Sequence, residues 1–304
     1  MNTTRNAVTV RVPGSTSNCG AGFDTLGLAL TIYNRITLTR DSTANCTPQP
    51  EAASDRRAQA LIDNTAAAFF HDAAHEQVGF RFHIAGDVPV ARGLGSSATI
   101  ITGVLAGLNA LCCTGYSRQK LAALGTALEG NPDNVSPSLL GGFTISRCDP
   151  TTGAYLNTIR ITVPPELVFV VVSPAVELVT KESRGALPTQ VPYADAARSI
   201  NSAAYLTAAF ASGNFGELRH AVGDFMHEPY RLPKIPGAGP SIHAGVAAGA
   251  LTGWLSGSGS SVLCVATQAT AESVGRAMNE AFGHANMPSV ARLLQADNDG
   301  LVLE

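Results

Sequence analysis

Pro89-Val-Ala-Arg92-Gly93-Leu94-Gly95-Ser96-Ser97-Ala98 is the stretch that decides how this chain is read. Two glycines and two serines run into small and apolar residues from 99 to about 111, the pattern of a tight loop opening a helix. Glycines let backbone N–H groups approach a phosphate, the helix N-terminus adds partial positive charge, and serine hydroxyls add donors. A turn in which Ser96 or Ser97 simply caps the helix accounts for the same residues, and on this loop alone the two readings stand level. Better known phosphate loops do not fit. The match to G-x-G-x-x-A fails because eight residues separate Ile84 from Gly93. It also lacks an acidic residue some ~20 positions on, where a ribose would need one. The chain contains no Gly-Lys dipeptide for a Walker A loop, and neither H-R-D nor D-F-G.

Working outward, Val78, Phe80, Phe82 and Ile84 alternate with Gly79, Arg81 and His83, which predicts a strand leading to the loop. Residues 8–12 predict a strand ending at Pro13, followed by a Gly-, Ser- and Asn-rich loop over 14–22 and a further strand over 28–38. The polar stretch 41–55, with two prolines, predicts an exposed loop. Helices are expected at 57–75, 118–128, 194–212, 215–226 and 271–282, and strands at 167–172 and 262–266. The Val-rich run 167–172 reads as a strand buried on both faces. The pattern changes between 150 and 165, dividing the chain into 1–155 and 156–304. No repeat of solenoid length appears.

Composition sets the class. With 304 residues, 45% hydrophobic and 14% charged, the chain can bury a sizeable core in two domains or one large α/β unit. A net charge of -3 without any basic run argues against a nucleic-acid partner. The N-terminus alternates like a strand, and the apolar stretches 167–172 and 99–113 are too short for a bilayer. A soluble, cytoplasmic protein without a membrane partner is expected. The six cysteines form no C-x-x-C pair and read as small buried hydrophobes kept reduced in the cytosol.

Three segments in order resemble the three motifs of the GHMP kinases. They are Pro13-Gly-Ser-Thr-Ser-Asn18-Cys-Gly-Ala-Gly-Phe-Asp24, the loop 89–98, and Leu255-Ser-Gly257-Ser258-Gly259-Ser-Ser-Val262. Two further regions resemble the homoserine kinases within that superfamily. One is Glu129-Gly-Asn131-Pro-Asp-Asn134-Val-Ser-Pro-Ser-Leu-Leu-Gly-Gly142; the other pairs Thr180-Lys-Glu-Ser-Arg184 with His227-Glu-Pro-Tyr-Arg231. The resemblance implies an α+β, two-domain GHMP kinase fold, with a left-handed βαβ unit in the N-terminal domain and a ferredoxin-like C-terminal domain. It also implies ATP as phosphoryl donor, Mg²⁺, and L-homoserine as acceptor.

Residue by residue, the resemblance assigns ATP to Pro89, Arg92, Gly93, Leu94, Gly95, Ser96, Ser97 and Ala98, with Asn64 near the adenine and the loop Gly257, Ser258, Gly259 from the C-terminal half. Ser97 and Glu129 become the Mg²⁺ ligands, although Glu129 also reads as an ordinary helix-terminal carboxylate. For an amino acid, Arg184 and Arg231 each offer a planar fork to a carboxylate, while Asp24 meets the ammonium with Asn18 beside it. Asn131 and Asn134 lie in the substrate segment, Asn134 orienting the reacting hydroxyl with help from Thr180. Taken singly, either arginine reads as a solvated surface residue.

The chain departs from the family pattern at Asn131, where a histidine is usual, at Cys19 and Ala21, and at Ser260, where a proline is usual. No aspartate base is evident near Asn134, so direct transfer by positioning and charge stabilisation is expected. Rival readings are a GHMP kinase for threonine, mevalonate, shikimate or a sugar, and a non-catalytic binding protein. The intact glycines and serines of the loop weigh against the last. A homodimer is the base-rate expectation.

Overall fold

The alternating apolar residues of the N-terminal half build one sheet and the helices that cover it. A computed structural model describes residues 5–42, 45–48, 56–177, 180–221 and 223–304, without the side chains of 180–182. The first half runs β1 (Ala7–Ser17), β2 (Leu26–Arg40), β3 (Cys46–Pro48), α1 (Arg56–Asp72), β4 (Phe80–Gly86), α2 (Ser96–Cys112), α3 (Arg118–Glu129), α4 (Val135–Leu140), β5 (Phe143–Cys148) and β6 (Tyr155–Ile161). The second runs β7 (Leu167–Pro174), α5 (Thr180–Gly185), α6 (Tyr193–Ser212), a 3-10 turn at Phe215–His220, α7 (Glu228–Arg231), α8 (Ala238–Ala247), β8 (Thr252–Leu255), β9 (Val262–Thr267), α9 (Ala271–His284), β10 (Ser289–Leu294) and β11 (Val302–Leu303).

The first sheet has the order β11-β1-β2-β4-β3, with β5 also pairing β2 and β6 pairing β5. Its one parallel pair among the described strands, β3 with β4, is joined through α1 as a βαβ unit. β6 falls inside the span 150–165 and β11 comes from the chain end, so both halves of the chain contribute to this sheet. The second sheet, β10-β7-β9-β8, is antiparallel throughout. Numbered within the unit, its order is 4-1-3-2 with helices after the first and third strands, which is the ferredoxin-like arrangement.

Packing explains the hydrophobic pattern. Val8, Val10, Val12, Ile36 and Leu38 meet Ile62, Phe69, Ile101, Val104 and Leu108 in a core between the first sheet and α1 and α2. β7 is apolar on both faces because both are covered. Leu167, Phe169 and Val171 join a core shared between the sheets, while Val168, Val170 and Val172 face α8 and α9. In the shared core Phe143 of β5 stacks on Phe210 of α6, centroids 4.2 Å apart. Each such side chain, fully buried, contributes about 1.5–3 kcal/mol, so the two halves hold a fixed relative position around the gap between them.

Several expectations are corrected. β1 continues past Pro13 to Ser17, where a loop was expected. The register shifts between Pro13 and Gly14, which accommodates the missing N–H, and the strand then pairs on to Ser17↔Gly27. Within the expected loop 41–55, Cys46–Pro48 forms an edge strand, and 43–44 and 49–55 lie outside the described residues. The helix expected over 215–226 ends as a 3-10 turn at His220. Asp224 instead accepts the N–H groups of Met226, His227 and Glu228, which nucleates α7. The cysteines make no disulfide, and Cys19 and Cys264 are buried, but Cys113 is exposed beyond α2.

Candidate active site

The gap between the halves is a cleft of about 330 Å³ with three distinguishable regions. Its glycine-rich floor is the start of α2. Gly95 is the N-cap residue, in the left-handed region at φ 70°, and makes no side-chain cap bond. Ser96 and Ser97 are therefore the first two helical residues, not the cap, and the first-turn N–H groups lack intrahelical partners. This separates the two readings of the loop: the hydroxyls line the cleft instead of closing the helix. A methyl on Gly95 would sit 2.4 Å from Ser15 Oγ, so only glycine lets the loop lie this close to β1. Gly93 packs equally close to Ser256 and Gly259, bringing the two glycine loops together.

Ser97 Oγ donates to Glu129 Oε2 at 2.7 Å. Burial pushes the Glu129 carboxyl up, against the opposing effect of that hydrogen bond. Ala58 and Leu61 of α1, Val90 at the start of the loop and Ile100 of α2 form an apolar end, with Arg57 and Arg92 also lining it.

The opposite end is polar. Arg184 and Asp24 make a bidentate pair, Nη1–Oδ2 3.0 Å and Nη2–Oδ1 2.7 Å, joining α5 to the β1–β2 loop. Arg231 is only 3% exposed, and its guanidinium donates to the carbonyls of Ser183 and Gly257, each at 3.4 Å. Both guanidiniums lie 5.4 Å from the ring centre of Phe23. Burial, then the Arg184 charge, lowers the Arg231 pKa.

His227 stacks on the same ring at 5.3 Å, and its Nε2 faces the Gly20 carbonyl at 2.8 Å. Burial lowers its pKa, opposed by the Asp224 carboxylate 3.7 Å from Nε2; because the Gly20 carbonyl can only accept, Nε2 carries a proton. Nδ1 is then an acceptor toward Arg231 Nη1 at 3.4 Å.

Between the two ends sits Asn134. Its Oδ1 accepts from Ser15 Oγ and its Nδ2 donates to Ser17 Oγ, both at 3.0 Å. These contacts hold the plane of the amide against β1. Asp133, 2% exposed, lines the same cleft. Its pKa is pushed up to about 8, first by burial and then by the charges of Asp24 and Glu129. With its amide nitrogen toward Asp133 Oδ1 (2.5 Å) and its oxygen toward Arg184 Nη2 (3.2 Å), Asn131 bridges the two.

The cleft thus brings together Asn18, Asp24, Arg92, Gly93, Gly95, Ser96, Ser97, Glu129, Asn131, Asn134, Arg184, Arg231, Gly257 and Ser258. Other expected residues stand apart from its lining. Leu94 and Ala98 are buried core residues that anchor the loop, Gly259 is buried beneath it, and Pro89 precedes it. Asn64 is exposed on α1, about a turn beyond Leu61, and does not line the cleft. Thr180 opens α5, but its side chain lies outside the described residues. Asn18 spends its amide on protein, Nδ2 on the Gly257 carbonyl and Oδ1 on the Asp24 N–H. Sequence reasoning missed Asp133 and Phe23 as cleft groups, and His227 as the buried ring behind Phe23 and Arg231. All three lie in segments it had singled out, and the signal for Asp133 was an acidic residue beside Asn134.

Comparison with known proteins assigns the class. A model of the GHMP kinase N-terminal domain matches residues 60–142, and one of the GHMP kinase C-terminal region matches 206–284. Curated homoserine kinases match nearly end to end. That of Moorella thermoacetica is 37% identical, covering 97% of this chain and 99% of its own. That of Trichormus variabilis is 37% identical over 97% and 98%. The crystal structure of homoserine kinase from Cytophaga hutchinsonii has the same fold, with a TM-score of 0.87 at 24% identity over 100% and 99% of the two chains. The chain is a two-domain α+β protein of the GHMP kinase family. Within that family it belongs to the homoserine kinases.

Proposed function

We propose that this protein moves the γ-phosphate of ATP directly onto the side-chain hydroxyl of L-homoserine, giving O-phospho-L-homoserine and ADP, a step of threonine biosynthesis. One observation carries the reading: a single cleft joins an uncapped glycine-rich helix N-terminus to a polar end holding two guanidiniums, with the doubly anchored Asn134 between them. The first suits a triphosphate, and the second suits a small zwitterion. The apolar end suits the adenine. Gly93, Gly95, Ser96 and Ser97 hold the phosphates, and Asn134 orients the acceptor hydroxyl. Arg231 takes the substrate carboxylate, kept in position by His227 and Phe23.

Mg²⁺ belongs to the proposal. Ser97 and Glu129 offer two adjoining oxygens, and among the described residues no cluster of three or more His, Cys, Asp or Glu is arranged to hold a metal. Few protein oxygens, completed by phosphates and water, is the donor set Mg²⁺ uses. When bound it would neutralise charge on the phosphates.

The work is divided in the proposal between residues 1–155, which carry the phosphate loop, and 156–304, which carry both arginines and the second glycine loop. Cytoplasmic operation is part of the proposal; among the described residues no helix is long and apolar enough to cross a membrane. A homodimer is proposed on base rates alone. The deciding experiment is ADP release by pure protein with ATP, Mg²⁺ and a panel of L-homoserine, L-threonine, mevalonate and shikimate. Turnover is expected with L-homoserine and to depend on Mg²⁺. No ADP above background with L-homoserine refutes the assignment.

A further inference from the structure

Arg231 is held less firmly by its own side chain than by the backbone that carries it. Its contacts to the Ser183 carbonyl, the Gly257 carbonyl and His227 Nδ1 are each 3.4 Å long. That exceeds the roughly 2.7–3.2 Å of a firm N–H···O bond. α7, which ends at Arg231, has four residues. So short a helix does not hold itself, because fixing its first turn costs more than its few hydrogen bonds return. Its place is set from outside. His227 Nε2 donates to the Gly20 carbonyl at 2.8 Å and ties the start of α7 to the β1–β2 loop. Glu228, the next residue, ties it to the second sheet.

β8 is an edge strand of that sheet. Ser256, just past its end, donates inward to the Ser261 carbonyl at 3.0 Å, so the N–H of Leu255 points off the open edge. Glu228 Oε1 accepts it at 2.7 Å. The end of the strand is itself fixed. Ser256 Oγ reaches Thr16 Oγ1 at 2.9 Å and the Gly93 carbonyl at 2.7 Å. The Gly257 N–H donates to the Ser17 carbonyl at 3.2 Å. Leu255 is therefore a firm attachment point, two residues from the carbonyl that Arg231 faces.

We propose that Glu228 is a positioning residue for the substrate carboxylate: through Leu255 it fastens α7 to the edge of the second sheet, and so sets where the Arg231 guanidinium meets the ligand. This rests on the reading of Arg231 as the partner of that carboxylate. The contact requires an acceptor and not a charge. Burial favours the neutral acid, opposed by the Leu255 N–H and aided by the Asp224 charge. The carboxylate of L-homoserine takes no part in phosphoryl transfer, so Arg231 holds it equally before and during the reaction. Loosening that hold appears in KM and not in kcat. The phosphate loop keeps its own anchors through Ser256 and Gly257, so the nucleotide end does not feel the change.

The test is steady-state kinetics with L-homoserine and ATP varied in turn. Glu228→Ala removes the acceptor. It should raise KM for L-homoserine roughly 3- to 10-fold, the contribution of one hydrogen bond, and leave kcat and KM for ATP within about twofold of wild type. Glu228→Gln keeps an acceptor at the same reach and should have the wild-type KM. Glu228→Asp remains a carboxylate but is shorter by one methylene group, and should behave as Glu228→Ala does; it takes over if Glu228→Ala does not fold. Thermal unfolding of each variant sets an assay temperature at which all are folded. A residue that merely stabilised the fold would lower Tm in Glu228→Ala and leave KM for L-homoserine alone, which overturns the proposal. So does a Glu228→Gln enzyme with the KM of Glu228→Ala, or a loss shared equally by ATP. Wild-type protein that does not turn over L-homoserine refutes the functional reading, and the proposal with it.

Discussion

Replacing Gly95 by alanine adds one methyl group at the point where the phosphate loop, β1 and Asn134 converge. Two costs follow, and they can be separated. The backbone at Gly95 has φ +70°, a conformation that costs a residue with a Cβ about 1–2 kcal/mol. The new Cβ would also lie 2.4 Å from Ser15 Oγ and 3.1 Å from Asn134 Oδ1, the two atoms of a 3.0 Å hydrogen bond. Separating them forfeits that bond, about 0.5–1.5 kcal/mol, and displaces a tightly packed neighbour at about 1–3 kcal/mol. Gly115 is the control, with φ +72° and nothing within 4 Å of the place an added methyl would take. Gly115→Ala should therefore show the dihedral cost alone and keep full activity. Gly95→Ala should be less stable than Gly115→Ala by roughly 1.5–4.5 kcal/mol, the sum of the two contact costs. It should also lose kcat through the freed Asn134 amide. Thermal unfolding and steady-state kinetics of both variants provide the readout. Equal destabilisation in the two, with Gly95→Ala still fully active, refutes the idea that the loop needs glycine for its approach to Ser15 and Asn134.

Two further predictions concern Glu129 with its partner Ser97, and the partly buried Glu228. Ser97→Ala and Glu129→Gln should each lower kcat roughly 10- to 100-fold at limiting Mg²⁺ while leaving the fold intact, and full activity in either removes that residue from the metal and phosphate site. Glu228 accepts the Leu255 N–H at 2.7 Å, and burial pushes its pKa up to about 8. The native state holds this proton after the unfolded chain has released it near 4.5, so its contribution to stability falls as pH rises from about 4.5 to about 8. The slope is at most about 1.4 kcal/mol per pH unit, an upper limit for a residue that keeps partial exposure. Glu228→Gln keeps the acceptor and removes the titration, so its Tm relative to wild type should climb from pH 5 to pH 8; a constant difference across that range contradicts the burial argument.

Much of the molecule was legible in order along the chain. The alternation at 8–12 and 78–84 and the small-residue run after Gly95 gave β1, β4 and α2, because exposed and buried faces impose periods of 2 and 3.6 on any sequence. Short elements carried no such signal. α4, α5 and α7 span six, six and four residues, too few for a period to register. The end of β1 was misread because Gly14, Ser15, Thr16 and Ser17 look like a loop. They hold strand geometry since Thr16 Oγ1 accepts from Trp254 Nε1 and Ser256 Oγ, while Ser15 and Ser17 grip Asn134. Those partners lie more than a hundred residues away, where no local pattern reaches.

The sequence by itself determined which residue types are available: glycines and serines for a phosphate, two arginines for a carboxylate, and an asparagine for a hydroxyl. Side-chain chemistry is local and survives being read as a string. Only the tertiary structure decided how those groups are paired. It gave both oxygens of Asp24 to Arg184, committed the amide of Asn18 to Gly257 and Asp24, and turned Asn64 out of the cleft. It also buried Asp133 beside Asn134, without a basic side chain within salt-bridge distance among the described residues. The reason is physical: whether a charge is matched or left over depends on distances of a few ångströms between segments far apart in the chain, and on the water that folding removes from between them.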